Sequence, residues 1–473
     1  MQDRTSKMDV FFNPKTVAII GASESFRFGY GTTSYLLNSN FKTYPVNIRS
    51  DTILGHKAYK NIKDIPDAID LAIILIGNEY VLQAIKDCVE KGVNGIIIES
   101  AGFAETGKEK FIKIQEEIEQ IAKKTGIPMI GPNCIGVTNF HNQFTTSDMD
   151  FVHAGKGNIA VIAQSGVLGN IFIDWANSNG INFSKAITIG NKVDVDEVDL
   201  LDYLNKDPET DVITLYLEGT KRGLKLKSVL SNMRKPVIIL KNGRSEIGTR
   251  AVNSHTGSIA GNDKIYGALF KQYPSVFRVD NFFEMFNIAQ VFATQPLPKG
   301  KNVAIVTGSG SLGAIACDEI VKQGLRLAKL DENTINKIQS VIPNWVSIRG
   351  TIDLGPSMFE TFVPSVKAIF QDDGVDCVLF IFSVPRVPLQ RMSSYALEGV
   401  RAQLNTLKKS VEKSNKPCIL VCFGSRWTFD FVTEAALHSE SNLTIPIMTR
   451  INQAIKAFKM MEEYNRIKIN NIT

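Results

Sequence analysis

At roughly 100–200 residues per domain, the chain of 473 residues makes about three domains, and its 44% hydrophobic and 21% charged composition lets each bury a core. The formal net charge of +5 is too diffuse to point to nucleic acid, although it favours a phosphorylated ligand. The most apolar runs are strand-sized, such as Leu71 to Ile76, so no membrane span is expected. Met1 to Asp9 is polar and does not read as a secretory signal. The six cysteines (Cys88, Cys134, Cys317, Cys377, Cys418, Cys422) form no CxxC pair. That fits reduced thiols in a cytoplasm and offers no metal site.

The first strand is expected at Val17 to Ile20, followed by Gly21 and a helix from about Thr32. Strands at Tyr44 to Asn47, Leu71 to Ile76, Gly95 to Ile98 and Pro128 to Ile130 follow. Continuous apolar strands alternating with helical stretches indicate a parallel sheet covered on both faces. A second series opens with Ile159 to Ala163 and continues through Ala186 to Ile189, Val212 to Leu217 and Val237 to Leu240. A third opens with Val303 to Val306 and continues with Cys377 to Phe382, Cys418 to Phe423 and Pro446 to Met448. The small polar stretch His153 to Gly157 and the Pro/Gly linker Gln295 to Gly300 predict domains over 1–150, 151–295 and 300–473.

Each domain begins with a strand, a Gly/Ser-rich turn and a helix: Gly21-Ala22-Ser23, Gln164-Ser165-Gly166 and Thr307-Gly308-Ser309-Gly310. The free N–H groups of a helix start make an anion site, so three such turns suggest a protein that handles phosphates. Taken singly, each is an ordinary α/β turn. The first is not GxGxxG, and the second strand ends in Pro45-Val46-Asn47 rather than in an acidic residue, which disfavours a nicotinamide dinucleotide. Gly131-Pro132-Asn133-Cys134 places polar groups at a strand's C-terminal end, where open α/β sheets bind ligands; a plain turn with a buried Cys fits equally. Ser165 lacks the Gly two residues earlier that a nucleophile elbow needs, since Ala163 stands there, so it reads as an anion donor.

The richest stretch is Ser254-His255-Thr256-Gly257-Ser258. His255 lies among small polar residues, and a neutral imidazole is a competent nucleophile toward an activated phosphoryl group. Glu218 closes the strand Val212 to Leu217 and could accept an imidazole N–H. Asp194, Asp196, Glu197 and Asp199 read as a solvated loop entering a capped helix, and no catalytic role is assigned to them.

These motifs occur in this order in one family. VAIIGAS at 17–23, GPNCIG at 131–136, GNIAVIAQSG at 157–166, GNKVDVDEVDLLDYL at 190–204, YLEG at 216–219 and SHTGSIAG at 254–261 resemble the α subunit of ADP-forming acetyl-CoA synthetases, in the succinyl-CoA synthetase superfamily. The resemblance implies an N-terminal Rossmann-like CoA-binding domain followed by two flavodoxin-like parallel-sheet domains. It implies CoA near Gly21, Ala22, Ser23 and Asn47, with Asn133 and Cys134 near the thioester. It makes His255 the phosphorylated residue and Glu218 its orienting carboxylate. It puts the phosphoryl group between the helix starts at Ser165-Gly166-Val167 and Gly308-Ser309-Gly310.

The implied reaction is acyl-CoA, phosphate and ADP giving acid, CoA and ATP. ADP or ATP with Mg is expected on a separate ATP-grasp β subunit, because no segment here resembles that domain. The expected assembly is therefore a cytoplasmic hetero-oligomer without nucleic acid or membrane. Departures from the family pattern fall at Ile48-Arg49, at Ile76-Gly77-Asn78 and at the third turn, where Asn-Ala-Gly-Gly is replaced by Thr307 to Gly310. A stand-alone acyl-CoA-binding protein of the same fold is the alternative.

Overall fold

A computed structural model describes residues 4–147, 155–250, 262–344, 346, 348, 350–437 and 443–470. The chain divides into two compact units, Met1–Met285 and Phe286–Thr473.

The first unit opens with a short helix α1 (Arg4–Lys7) and then β1 (Thr16–Ile20), α2 (Tyr30–Asn38) and β2 (Lys42–Val46). A small hairpin, β3 (Thr52–Ile53) and β4 (His56–Lys57), precedes β5 (Leu71–Ile74), α3 (Asn78–Lys91), β6 (Gly95–Ile98), α4 (Glu109–Thr125) and β7 (Met129–Ile130). The first sheet has the order β2-β1-β5-β6-β7 and is parallel throughout. Strands covered by helices on both faces must be apolar on both faces, and Val17 to Ile19 and Leu71 to Ile74 are fully buried. The chain leaves β1 toward β2 on one side and returns to β5 on the other. That switch point is where a crevice opens in such sheets.

The second sheet is built from β8 (Val137–Asn139), β9 (Phe144–Thr145), β10 (Lys156–Ala163), β11 (Phe183–Thr188), β12 (Val212–Leu217), β13 (Val237–Lys241) and β14 (Val276–Val279). Between them lie α5 (Gly166–Ser178), α6 (Glu197–Lys206) and α7 (Gly223–Ser231). Its order is β14-β13-β12-β10-β11-β8-β9. The expected first boundary at 150 needs correction. β8 pairs antiparallel with β11 and β9 with β8, so the second sheet already begins at Val137. The hairpin covers an edge strand that would otherwise expose a row of backbone donors and acceptors. One apolar core runs from Met8 and Phe11 through Ile97 and Ile130 to Leu200 and Ile239, so the two sheets of this unit share it.

The second unit carries β15 (Asn302–Thr307), β16 (Arg326–Leu327), β17 (Ile352–Asp353), β18 (Cys377–Phe382), β19 (Cys418–Cys422) and β20 (Ile447–Met448). They form a parallel sheet ordered β16-β15-β18-β19-β20, with β17 paired to β15. The expected boundary at Gln295 to Gly300 is also displaced. The division falls inside the helix Phe282–Thr294, ahead of the prolines. Side-chain bonds explain this: Gln295 accepts from the Cys418 N–H at 3.0 Å and donates to the Thr444 carbonyl at 2.7 Å, fixing the start of the linker to the last sheet.

Among the described residues no helix is long and apolar enough to cross a membrane, and no His/Cys/Asp/Glu group could hold a metal ion.

Candidate active site

The C-terminal ends of β1, β5, β6 and β10 surround a cleft of about 920 Å³ in the first unit. Its floor is set by close backbone approach. Gly21 has φ +93°, and a Cβ there would sit 2.6 Å from the Leu75 carbonyl oxygen. Only glycine lets the end of β1 press on the end of β5 in this way.

Of the residues expected from sequence, Gly21, Asn47, Asn133, Cys134, Ser165, Gly166 and Val167 line the cleft. Ala22 and Ser23 do not; both are buried, and Ser23 Oγ accepts from the Ser25 N–H to shape the turn. Asn47 serves the backbone, donating to the Ala22 carbonyl at 2.8 Å and accepting from the Arg49 and Ser50 N–H groups. It ties β2 to the first turn. Cys134 is buried, with Sγ 3.3 Å from the Ile98 carbonyl, and burial pushes its thiol far up. It is a wall residue, not a nucleophile.

Asn133 has φ +62° and is held by its N–H to the Ser100 carbonyl at 2.9 Å. Its side chain donates to Asn191 Oδ1 at 3.3 Å, and Asn191 donates in turn to Glu105 Oε2 at 2.6 Å and Gln115 Oε1 at 2.9 Å. This polar chain pins the second sheet's loop to the first sheet. Asn191 was legible only as part of the GNK motif, with no role attached.

The sequence reading assigned no ligand contact to the cations and apolar side chains lining the cleft. Exposed Arg27, Arg49 and Lys60 face it together with exposed Phe28, Ile48 and Tyr80. Cations beside apolar surface suit a ligand with phosphates and an organic body. Two of these residues, Ile48 and Arg49, are among the departures from the family pattern, as are Ile76 and Gly77, which also line the cleft.

At the inner end stands α5. Its N-cap Ser165 makes no side-chain capping bond, so the first N–H groups of a 13-residue helix are free of such a cap. Gly166 is required there, since a Cβ would lie 2.7 Å from Ile135 Cγ1. β12 lies beside β10, with Ala163 opposite Tyr216, which brings Glu218 next to this helix start. Gln164 Oε1 accepts from the N–H groups of Glu218 at 2.9 Å and Gly219 at 3.2 Å, locking the two strand ends together. Glu218 is buried, and its Oε1 accepts from the Tyr216 hydroxyl at 3.1 Å. His255 lies outside the described residues.

The acidic run enters a capped helix, but the expected solvated loop needs correction, since Asp196, Glu197 and Asp199 are buried. Asp196 caps α6 by accepting from the Val198 N–H at 2.9 Å, and Arg4 and Arg222 bracket Asp199 at 2.9 and 2.7 Å.

Residues 15–139 match the family described as CoA binding domain, and residues 156–292 match the succinyl-CoA ligase like flavodoxin domain. Over 400 residues the chain is 42% identical to the α subunit of ADP-forming acetate–CoA ligase II of Pyrococcus furiosus, covering 84% of this chain and 86% of the relative. The chain belongs to the ADP-forming acetate–CoA ligase family. Its members are acid–thiol ligases, and an ADP-forming acetate–CoA ligase II of Archaeoglobus fulgidus is 36% identical over 98% of this chain and 68% of that relative. The dinucleotide-forming acetyl-coenzyme A synthetase 1 of Ca. Korarchaeum cryptofilum, solved with phosphate and ADP, superposes with a TM-score of 0.86 at 29% identity, covering 99% and 98% of the two chains. The three-domain α/β architecture is therefore that of the ligase family.

The third turn of this ligase lies in the second unit. Ser309 starts the helix Gly310–Lys322, again without a side-chain cap, while its N–H bonds Thr307 Oγ1 at 3.0 Å. A Cβ on Gly310 would meet Asp353 Oδ2 at 2.9 Å, so a carboxylate stands beside Gly308-Ser309-Gly310.

Proposed function

We propose that this ligase chain binds CoA in the cleft of its first unit and carries the phosphoryl group on His255, with a separate ATP-grasp subunit holding ADP or ATP and Mg. The observation that carries the reading is the junction of β10 and β12. There an uncapped helix start, suited to an anion, and a buried carboxylate, suited to an imidazole, are locked side by side by Gln164. The cleft lining fits a CoA thioester: Arg27, Arg49 and Lys60 for its phosphates, and apolar Phe28, Ile48 and Tyr80 for its body.

The chemistry balances in three transfers. Phosphate oxygen attacks the thioester carbon, and the sulfur leaves with its electron pair as CoA thiolate. The imidazole nitrogen of His255 then attacks the phosphorus of the acyl phosphate. An N–P bond forms, the P–O bond breaks, and the acid leaves as carboxylate. Glu218 balances the positive charge that develops on the ring. ADP finally takes the phosphoryl group and neutral imidazole is restored. The hydrogen bonds that hold Glu218 and the start of α5 exist before the reaction, so no reorganisation is needed as charge moves. Holding ADP in line requires a site of its own, which is the role proposed for the partner.

Incubation with acyl-CoA and labelled phosphate should place acid-labile, base-stable label on this chain and none on His255→Ala. Label persisting in that variant would overturn the assignment. Purified chain should make ATP from acyl-CoA, phosphate and ADP only after an ATP-grasp subunit is added; turnover by the chain alone would refute the division of labour.

A further inference from the structure

The end of β12 holds a hydroxyl whose proton has one direction to go. Tyr216 is buried, and its oxygen is 2.9 Å from Asn242 Nδ2 and 3.1 Å from Glu218 Oε1. An amide N–H only donates and a carboxylate oxygen only accepts, so Tyr216 accepts from Asn242 and gives its proton to Glu218. Burial and the neighbouring carboxylate both push the Tyr216 hydroxyl up, which keeps it a donor at neutral pH. The arrangement follows from strand register. Tyr216 pairs with Leu240 across β12 and β13, and the Asn242 N–H bonds the Leu217 carbonyl at 3.1 Å, which holds the Asn242 backbone beside the strand end that carries Glu218.

The backbone at Glu218 is fixed without Tyr216. Gln164 takes the N–H groups of Glu218 and Gly219, Lys192 Nζ donates to the Gly219 carbonyl at 2.6 Å, and the Thr220 N–H bonds the Tyr266 hydroxyl at 2.9 Å. What the Tyr216 hydroxyl adds is the direction of the carboxylate. A charge-assisted hydrogen bond is shorter and about twice as strong as a neutral one, enough to select one rotamer of a buried Glu.

We propose that Tyr216 is a positioning residue of the ligase, its hydroxyl turned by Asn242 so that Glu218 Oε1 is held and the carboxylate keeps a fixed aim toward the histidine it serves. This rests on the reading that Glu218 serves His255.

The test is the single-turnover rate of phosphohistidine formation from acyl-CoA and labelled phosphate in the complete ligase, chain plus partner subunit. Tyr216→Phe should slow the step about tenfold, equivalent to about 1.4 kcal/mol, with the KM for acyl-CoA unchanged. Asn242→Asp offers the same proton a second carboxylate, so it should slow the step as much as Tyr216→Phe. Asn242→Leu removes only the amide and leaves the hydroxyl free to donate to Glu218, so its loss should stay under about threefold, a cost below that of the tyrosine hydrogen bond itself. The double variant Tyr216→Phe/Asn242→Asp should be no slower than Tyr216→Phe. A residue that served packing alone would give equal losses for both Asn242 variants and would move KM. A wild-type rate in Tyr216→Phe, or an Asn242→Leu as slow as Asn242→Asp, would overturn the inference. If Tyr216→Phe does not fold, the two Asn242 variants still decide it. Glu218→Gln separates the two layers. If Glu218→Gln is slow while Tyr216→Phe is not, only this inference falls. If Glu218→Gln is itself as fast as wild type, the reading beneath it falls.

Discussion

Gly190 is a position where one added carbon should damage the cleft. It has φ +54°, and a Cβ there would lie 2.2 Å from the Pro132 carbonyl oxygen and 2.5 Å from that of Asn133. Neither oxygen can move freely. The Asn191 N–H bonds the Pro132 carbonyl at 2.9 Å, the Val193 N–H bonds the Gly131 carbonyl at 3.1 Å, and the Asn133 N–H bonds the Ser100 carbonyl at 2.9 Å. Gly180 supplies the control: its φ is +71°, and a Cβ there would meet nothing within 4 Å. Alanine in the left-handed region costs roughly 1–2 kcal/mol at either site. At Gly190 the clash must also break one or two backbone hydrogen bonds at about 1 kcal/mol each, for a total of about 2–4 kcal/mol. At roughly 2–4 °C per kcal/mol for domains of this size, Gly190→Ala should melt about 4–16 °C below wild type and Gly180→Ala about 2–8 °C below, with Gly190→Ala the lower of the two. Calorimetry or far-ultraviolet melting measures both. Because the displaced backbone carries Asn133, Gly190→Ala should also weaken CoA binding by isothermal titration while Gly180→Ala should not. Equal melting temperatures for the two variants would refute the argument from backbone contact.

Three further outcomes follow from buried and cleft-lining charge. Burial, followed by the nearby Glu197 and Asp199 charges, raises Asp196 to about 6, so between about pH 4 and 6 the native protein holds a proton that the unfolded chain has lost. Stability contributed here falls as pH rises through that window. Asp196→Asn, which keeps a helix cap, should therefore gain on wild type between pH 4 and 7 by at most about 3 kcal/mol in urea titrations, and a constant difference would contradict it. Lys185 is buried and bonds Asp207 at 2.8 and 3.0 Å and Glu209 at 2.6 Å. Lys185→Met should cost about 3–5 kcal/mol, and Lys185→Met/Asp207→Leu should recover at least half, read as a double-mutant cycle by denaturation. Arg49 is exposed on the cleft, so Arg49→Gln should weaken CoA about twofold to fivefold and flatten the salt dependence of binding.

The sheets were legible where apolar runs were continuous. Val17 to Ile20, Gly95 to Ile98 and Cys377 to Phe382 are buried on both faces, and their sequence carries that fact directly. β8 and β9 were not legible, because Val-Thr-Asn and Phe-Thr are too short and mixed to carry a period, and long-range pairing with β11 makes them strands. Site residues were legible when they lay in glycine-rich turns, since close approach demands glycine. No role was legible for Tyr216 and Asn242, because Asn242 meets the Tyr216 hydroxyl from the end of the neighbouring strand, and adjacency across a sheet is set by strand order. Asn47 lies in the cleft, and its side-chain bonds, which go to backbone groups on either side of it, were not legible.

An uncapped helix start is not by itself an anion site. Ser165 and Ser309 both start 13-residue helices without a side-chain cap, and both follow the C-terminal end of a strand. β17 pairs with β15 so that Asp353 stands opposite Thr307, and its carboxylate reaches the place a Gly310 side chain would take. A helix start offers an anion about 0.3–1 kcal/mol. A unit negative charge about 4 Å from a carboxylate is opposed by about 4 kcal/mol at an effective dielectric of 20. Repulsion therefore wins at the third turn unless a cation accompanies the anion. At α5 the first turn of the helix, Gly166 and Val167, faces the cleft, and the neighbouring carboxylate, Glu218, is engaged by the Tyr216 hydroxyl. Both turns thus set a helix start beside a carboxylate, Glu218 bonded by the Tyr216 hydroxyl and Asp353 by the Gly355 N–H at 3.1 Å, and by the same electrostatics an anion at either is favoured only when positive charge accompanies it.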